Sequence, residues 1–219
     1  MLETIEIETA PNPDAAIIWM HGLGADGHDF EPVVPEIVRR GERAWRFVFP
    51  HAPVRPVSIN NGMRMRAWYD IKELSIGAIE DADGIADSAA RVAQYLQRER
   101  ADAVPAKRIV VAGFSQGGAI ALHSGLRATE GLAGVLALST YLPLRDRLAA
   151  EASDANRKTP ILMCHGRLDP VVPLQMGQLS RDILLGQGYA VQWNEYAMQH
   201  ALCAQELNDI AAWLQRLLG

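Results

Sequence analysis

Four short stretches of this chain are apolar at every position: Ala15-Ala-Ile-Ile-Trp-Met20, Ile109-Val-Val-Ala112, Gly134-Val-Leu-Ala-Leu138 and Ile161-Leu-Met-Cys164. Each is of strand length, and a strand with no polar side must be covered on both faces. Between them lie segments with helical spacing. Ile85, Ala89, Val92, Ala93 and Leu96 recur this way between about residues 80 and 100, and 172–186 reads as a helix. A last helix carries Leu207, Ile210, Leu214, Leu217 and Leu218 on one face. Buried strands alternating with helices predict an α/β chain with a mostly parallel central sheet and helices on both faces. Leu2–Glu8 alternates apolar and acidic residues, as an edge strand does, and Ala190–Tyr196 also alternates. Asn60-Asn-Gly62 is a hairpin signal. The hairpin and the N-terminal strand are expected as antiparallel additions at one edge. Phe30–Arg40 reads as a helix stopped by Gly41, and Arg145–Asn156 as polar helical surface. No repeat or linker divides residues 1–219, so a single domain is expected.

The 109–112 run leads into Gly113-Phe-Ser-Gln-Gly-Gly118 and then Ala119-Ile-Ala-Leu122. Strand, tight turn and helix are the setting in which G-x-S-x-G forms a nucleophile elbow. The glycines at 113 and 117 admit the close backbone approach, and Ser115 stands where a helix N-terminus favours a developing oxyanion. The rival reading is a glycine-rich turn with a capping serine.

A serine hydroxyl needs a base. After Ser115 the histidines are His123, His165 and His200. His123 lies two helical turns on and points away. His165 precedes Gly166 at a strand end and is read as fixing the loop. His200 follows the last strand, on the rim where ligands of α/β sheets gather. Asp169 has the same address, just past the 161–164 strand. Asp146, Asp154, Asp182 and Asp209 fall in surface-helix patterns, and Glu195 lies inside a strand. The order Ser115, Asp169, His200 suits an elbow nucleophile. Alone, Asp169 could be a turn residue before Pro170, and His200 a helix-start histidine. Two amides are expected to hold the oxyanion: that of Gln116, after the serine, and that of Leu23 in the loop His21-Gly-Leu-Gly24. That loop lacks the spacing of a phosphate-binding motif.

Residues 51–79 are long for a loop and are expected to cover a site. Met63, Met65, Trp68, Leu74 and Ile76 could line an acyl pocket there or pack on the core; both readings stay open.

A net charge of −5 without a basic cluster argues against nucleic acid as partner. Cys164 and Cys203 have no metal-ligand spacing and read as buried thiols. The first residues lack a signal-peptide pattern, and no apolar run is long enough to span a membrane, so a cytoplasmic protein is expected.

Six blocks, in order, resemble the acyl-protein thioesterase and small bacterial carboxylesterase family of α/β-hydrolases. They are His21-Gly-Leu-Gly-Ala-Asp-Gly-His28, Pro50-His-Ala-Pro-Val-Arg-Pro56, Ala67-Trp-Tyr-Asp70, Gly113–Gly118, Gly166-Arg-Leu-Asp-Pro-Val-Val-Pro173 and Tyr196-Ala-Met-Gln-His200. The resemblance implies an α/β-hydrolase fold with no large lid domain. It implies a serine hydrolase of carboxylic esters, thioesters or lysophospholipid esters, with no metal or organic cofactor, acting on small molecules or on acylated proteins. It carries the nucleophile to Ser115, the acid to Asp169, the base to His200 and the oxyanion donors to Leu23 and Gln116, and suggests a homodimer. One departure is Ala201, where the family pattern has serine. The alternatives are a non-catalytic binding module, or an acyltransferase or peptidase, on the same scaffold.

Overall fold

The computed structural model describes residues 1–38 and 42–219. Seven strands form one sheet: β1 (Thr4–Glu8), β2 (Ala15–Met20), β3 (Trp45–Pro50), β6 (Ile109–Phe114), β7 (Gly134–Leu138), β8 (Ile161–Gly166) and β9 (Val191–Tyr196), in the order β1-β3-β2-β6-β7-β8-β9. All neighbours are parallel except β1, which pairs antiparallel with β3 at the edge. The continuous apolar runs are explained by two cores, one on each face. Along β2, Ala16, Ile18 and Met20 enter one core, and Ala15, Ile17 and Trp19 the other. The first core is closed by α2 (Ala82–Ala101), α3 (Gln116–Arg127) and Leu184 of α5 (Leu174–Gly186). The second is closed by α1 (Val34–Ile37) and α6 (Ala204–Leu218), with Trp213 and Leu214 against the sheet. Among the described residues no separate lid domain is present, and no helix is long and apolar enough to cross a membrane.

Three local expectations are corrected. The helix expected from Phe30 is a single 3-10 turn, Glu31–Val33, followed by the four-residue α1, and Val38 is already extended. Pro35 has no N–H to offer the Glu31 carbonyl, so one continuous α-helix cannot run from Phe30 through it, and α1 starts afresh with Pro35 in its first turn. The remainder of that expectation, residues 39–41, lies outside the described residues. Residues 145–156 form two 3-10 turns flanking α4 (Leu148–Glu151) rather than one helix, and Asn156 is buried, bonded to the Leu132 amide and to the carbonyls of Ala128 and Glu130. The hairpin forms at the expected turn, with Asn61 at φ 55° and Gly62 at φ 75°. Its strands, β4 (Val54–Val57) and β5 (Met63–Arg66), make a separate two-stranded sheet instead of extending the main one.

Candidate active site

β6 is the middle strand of seven, and Ser115 stands at its carboxyl end as the residue before α3. Its backbone sits at φ 54°, ψ −120°, a conformation that non-glycine residues rarely hold. The surroundings impose it. The Ser115 amide donates to the Leu138 carbonyl at 2.8 Å, and the Ser115 carbonyl accepts from Thr140 Oγ1 at 2.6 Å and from the Ala119 amide at 3.1 Å. A Cβ on Gly113 would lie 2.2 Å from the Gly117 backbone, and one on Gly117 would lie 2.2 Å from the Met20 carbonyl oxygen. Glycine at these positions lets the turn close against β2.

His200 lies in the segment between β9 and α6. Its Nδ1 is 2.7 Å from Asp169 Oδ2, and because a carboxylate only accepts, Nδ1 carries the proton of this bond, which in the neutral ring leaves Nε2 as the acceptor. Asp169 has a fully buried side chain. Its other oxygen, Oδ1, accepts from the amides of Val171 at 2.8 Å and Val172 at 2.9 Å, which fixes the carboxylate plane. The His200 ring packs on Phe114, centroids 4.7 Å apart, and so sits over the residue next to Ser115. No hydrogen bond joins His200 to the Ser115 hydroxyl in this structure; the bonded partner of the ring is Asp169. His165 is buried behind the acid. Its Nε2 donates to the Val172 carbonyl at 2.9 Å and lies 3.7 Å from Asp169 Oδ2. Burial lowers its pKa, and Gly177 of α5 leaves the room its ring occupies. His123 is buried inside α3, pushed down to about 4 by burial. Ala201 is exposed, and its amide donates to the Gln199 carbonyl.

The loop after β2 lies against the serine: a Cβ on Gly22 would lie 3.5 Å from Ser115 Cβ. The Leu23 amide has no acceptor among the described residues, and the Gln116 amide is one of the orphan donors of the first turn of α3. The five residues expected to line an acyl pocket are divided, and Met63 is exposed at the start of β5. Leu74 and Ile76 line a cavity of about 290 Å³, together with Tyr141, Leu142, Met176 and Leu179. Trp68 does not line it. It is buried in the core, its amide donating to Gln116 Oε1 and its Nε1 to the His21 carbonyl. Met65 is also elsewhere, beside Gly24 of the loop after β2. Tyr141 directly follows Thr140, the residue that holds the Ser115 carbonyl, so one wall of the cavity belongs to the segment after β7; Ser115, Asp169, His200, Leu23 and Gln116 are not among its lining residues. A second groove, between α2 and α3, contains none of the candidate residues.

This arrangement offers a strained serine, an imidazole with a free nitrogen, a buried carboxylate behind it and unpaired amides beside the hydroxyl. A match to the phospholipase/carboxylesterase family covers residues 3–218. The chain belongs to that family. It is 41% identical over 213 residues to acyl-protein thioesterase 1 of Gibberella zeae, covering 93% of this chain and 91% of that protein. Among solved structures it is similar to acyl-protein thioesterase 2 of Zea mays, with TM-score 0.88, 32% identity and all of both chains covered. SOBER1 of Arabidopsis thaliana matches with TM-score 0.87 and 30% identity over 94% of this chain and 99% of that one. The resemblance drawn from the six sequence blocks is therefore borne out. The fold is that of the α/β-hydrolases, and the chain is a hydrolase of carboxylic esters or thioesters.

The sequence points to the backbone amide of Gln116 but not to a role for its side chain. The amide side chain of Gln116 bridges the Trp68 amide and the Tyr69 carbonyl, both at 2.8 Å. It pins the 67–70 segment over the elbow. The block Ala67-Trp-Tyr-Asp70 was visible in the sequence, but nothing in it indicates that partner.

Proposed function

We propose that hydrolysis runs through an acyl-enzyme on Ser115. His200 Nε2 takes the hydroxyl proton as Ser115 Oγ attacks the acyl carbon. The Leu23 and Gln116 amides hold the resulting oxyanion. His200 then returns the proton to the departing alcohol or thiol, and water repeats the cycle to release the acid. Asp169 keeps the imidazole in the Nδ1–H tautomer and stabilises the imidazolium. The observation that carries this reading is the Asp169–His200 hydrogen bond set beside a serine in elbow geometry. The missing Ser115–His200 bond is consistent with it, because catalytic hydrogen bonds in unliganded enzymes are often long and tighten with substrate.

The acyl group is assigned to the cavity of Leu74, Ile76, Tyr141 and Met176. Its volume of about 290 Å³ and its apolar members support a short to medium acyl chain as the occupant. The thiol or alcohol side could be a small molecule, a lysophospholipid or an acylated protein, the last supported by the thioesterase relatives. We read residues 1–219 as one catalytic domain, cytoplasmic, and a homodimer in solution; the single continuous sheet supports the first of these.

The test is hydrolysis of p-nitrophenyl butyrate by the wild type, Ser115→Ala and His200→Ala. Loss of turnover in both variants is expected, by more than ~10⁴. Wild-type rates in Ser115→Ala would remove the assignment.

A further inference from the structure

The imidazole of His21, at the end of β2, is almost wholly buried and makes two hydrogen bonds. Its Nε2 accepts the Ala52 amide at 3.0 Å, so the proton is on Nδ1, which donates to the Gly22 carbonyl at 2.7 Å. Burial keeps the ring neutral, with its pKa drawn down to about 4, among Asp26, His51 and Arg66 as the charged or titratable neighbours. In a trans peptide the carbonyl of one residue and the N–H of the next point in opposite directions. The bond to the Gly22 carbonyl therefore turns the Leu23 N–H away from the His21 ring. Gly22 packs against Ser115 and Phe114.

We propose that His21 is a positioning residue of the oxyanion hole, holding the Gly22–Leu23 peptide plane so that the Leu23 N–H faces the reacting carbonyl. The proposal rests on the reading of Ser115 as nucleophile and Leu23 as donor. A second set of contacts supports it. The His21 carbonyl accepts from Trp68 Nε1 at 2.9 Å, and the Trp68 amide donates to Gln116 Oε1 at 2.8 Å. Through His21 and Trp68, the residues carrying the two oxyanion donors belong to one hydrogen-bonded chain, although 93 positions separate residues 23 and 116. Such a chain orients both donors before substrate arrives, which is what preorganised stabilisation of an oxyanion requires.

The test compares His21→Leu, which has no donor, with His21→Asn, whose Nδ2 can still reach the Gly22 carbonyl. For His21→Leu, kcat on p-nitrophenyl butyrate is expected to fall about ten- to a hundredfold, short of the ~10²–10³ for deleting a donor outright, with KM nearly unchanged. Affinity for an aryl boronic acid, which forms an anionic tetrahedral adduct, should weaken by the same factor as kcat/KM. His21→Asn should recover most of both. A merely structural role would lower the melting temperature without the parallel loss of boronate affinity. Should His21→Leu not fold, His21→Gln replaces it, since its amide extends one bond too far to serve the Gly22 carbonyl. Equal kcat and boronate affinity across the variants and the wild type would overturn the proposal, as would a fall in kcat with boronate affinity unchanged. Ser115→Ala in the same assays keeps the two questions apart. If it retains turnover the underlying site is wrong, whereas if it is dead and the His21 variants are normal, only the role of His21 is wrong.

Discussion

Asp169 and His200, 31 positions apart in sequence, meet in a 2.7 Å hydrogen bond between Oδ2 and Nδ1. The acid is fully buried, and its remaining oxygen is occupied by two backbone amides. The pair can therefore hold one tautomer of the imidazole with little freedom to reorient. Asp169→Asn keeps the shape but can donate to Nδ1, which favours the wrong tautomer. By analogy with the serine protease acid, kcat is expected to drop about 10⁴-fold with KM little changed. Steady-state kinetics on a p-nitrophenyl ester decide it, and a loss under tenfold would show that the carboxylate is dispensable.

The elbow makes a stability prediction that does not depend on chemistry. A Cβ on Gly117 would fall 2.2 Å from the Met20 carbonyl oxygen and 2.5 Å from that of His21. Backbone cannot yield as a side-chain tip would, so Gly117→Ala should destabilise by about 3 kcal/mol or more. Urea denaturation measures this, and an unchanged midpoint would mean that β2 and α3 are not packed as described.

Glu206, in the first turn of α6, is fully buried, and burial pushes its carboxyl up to about 8, with the Cys203 amide opposing and Asp209 reinforcing the shift. An acid with a raised folded pKa keeps its proton while the unfolded chain has released it. Stability thus falls as pH rises from about 4.5 to about 8 and then levels. Glu206→Gln removes that term. It should stabilise by on the order of a few kcal/mol near pH 8 and by little near pH 4. Thermal melts of both proteins across that range check the sign, and a gain confined to low pH would refute it.

Assigning the acyl group to the cavity of about 290 Å³ predicts a preference for short to medium chains. Along a series of p-nitrophenyl esters, kcat/KM should rise from acetyl to octanoyl or decanoyl and fall at palmitoyl by at least about tenfold. Met176→Trp, which fills the cavity, should move the optimum to shorter chains. A palmitoyl optimum would show that the chain lies elsewhere.

The parts of the fold visible in the sequence were those set by local rules. Strands buried on both faces leave uninterrupted apolar runs, and the elbow leaves its glycines. Position along the strands puts His200 and Asp169 at one rim, and the structure joins the two by a hydrogen bond while His123 is buried inside α3. The helix expected from Phe30 is interrupted at Pro35, which begins a new first turn instead of continuing the ladder. Trp68 and Leu74 were not separable beforehand. One faces the core and the other a cavity, and that difference arises from contacts such as Gln116 Oε1 with the Trp68 amide, 48 positions apart. His21 was hidden for the same reason: its partners are two backbone groups, and backbone groups leave no mark in a sequence.

The central claim, that Ser115 becomes acylated during turnover, is tested most directly by covalent trapping. The protein is treated with a fluorophosphonate ester and the modified peptide is mapped by mass spectrometry. One adduct per chain, on Ser115 and absent from Ser115→Ala, is the expected result. An adduct on another residue, or labelling that persists undiminished in Ser115→Ala, would contradict the account.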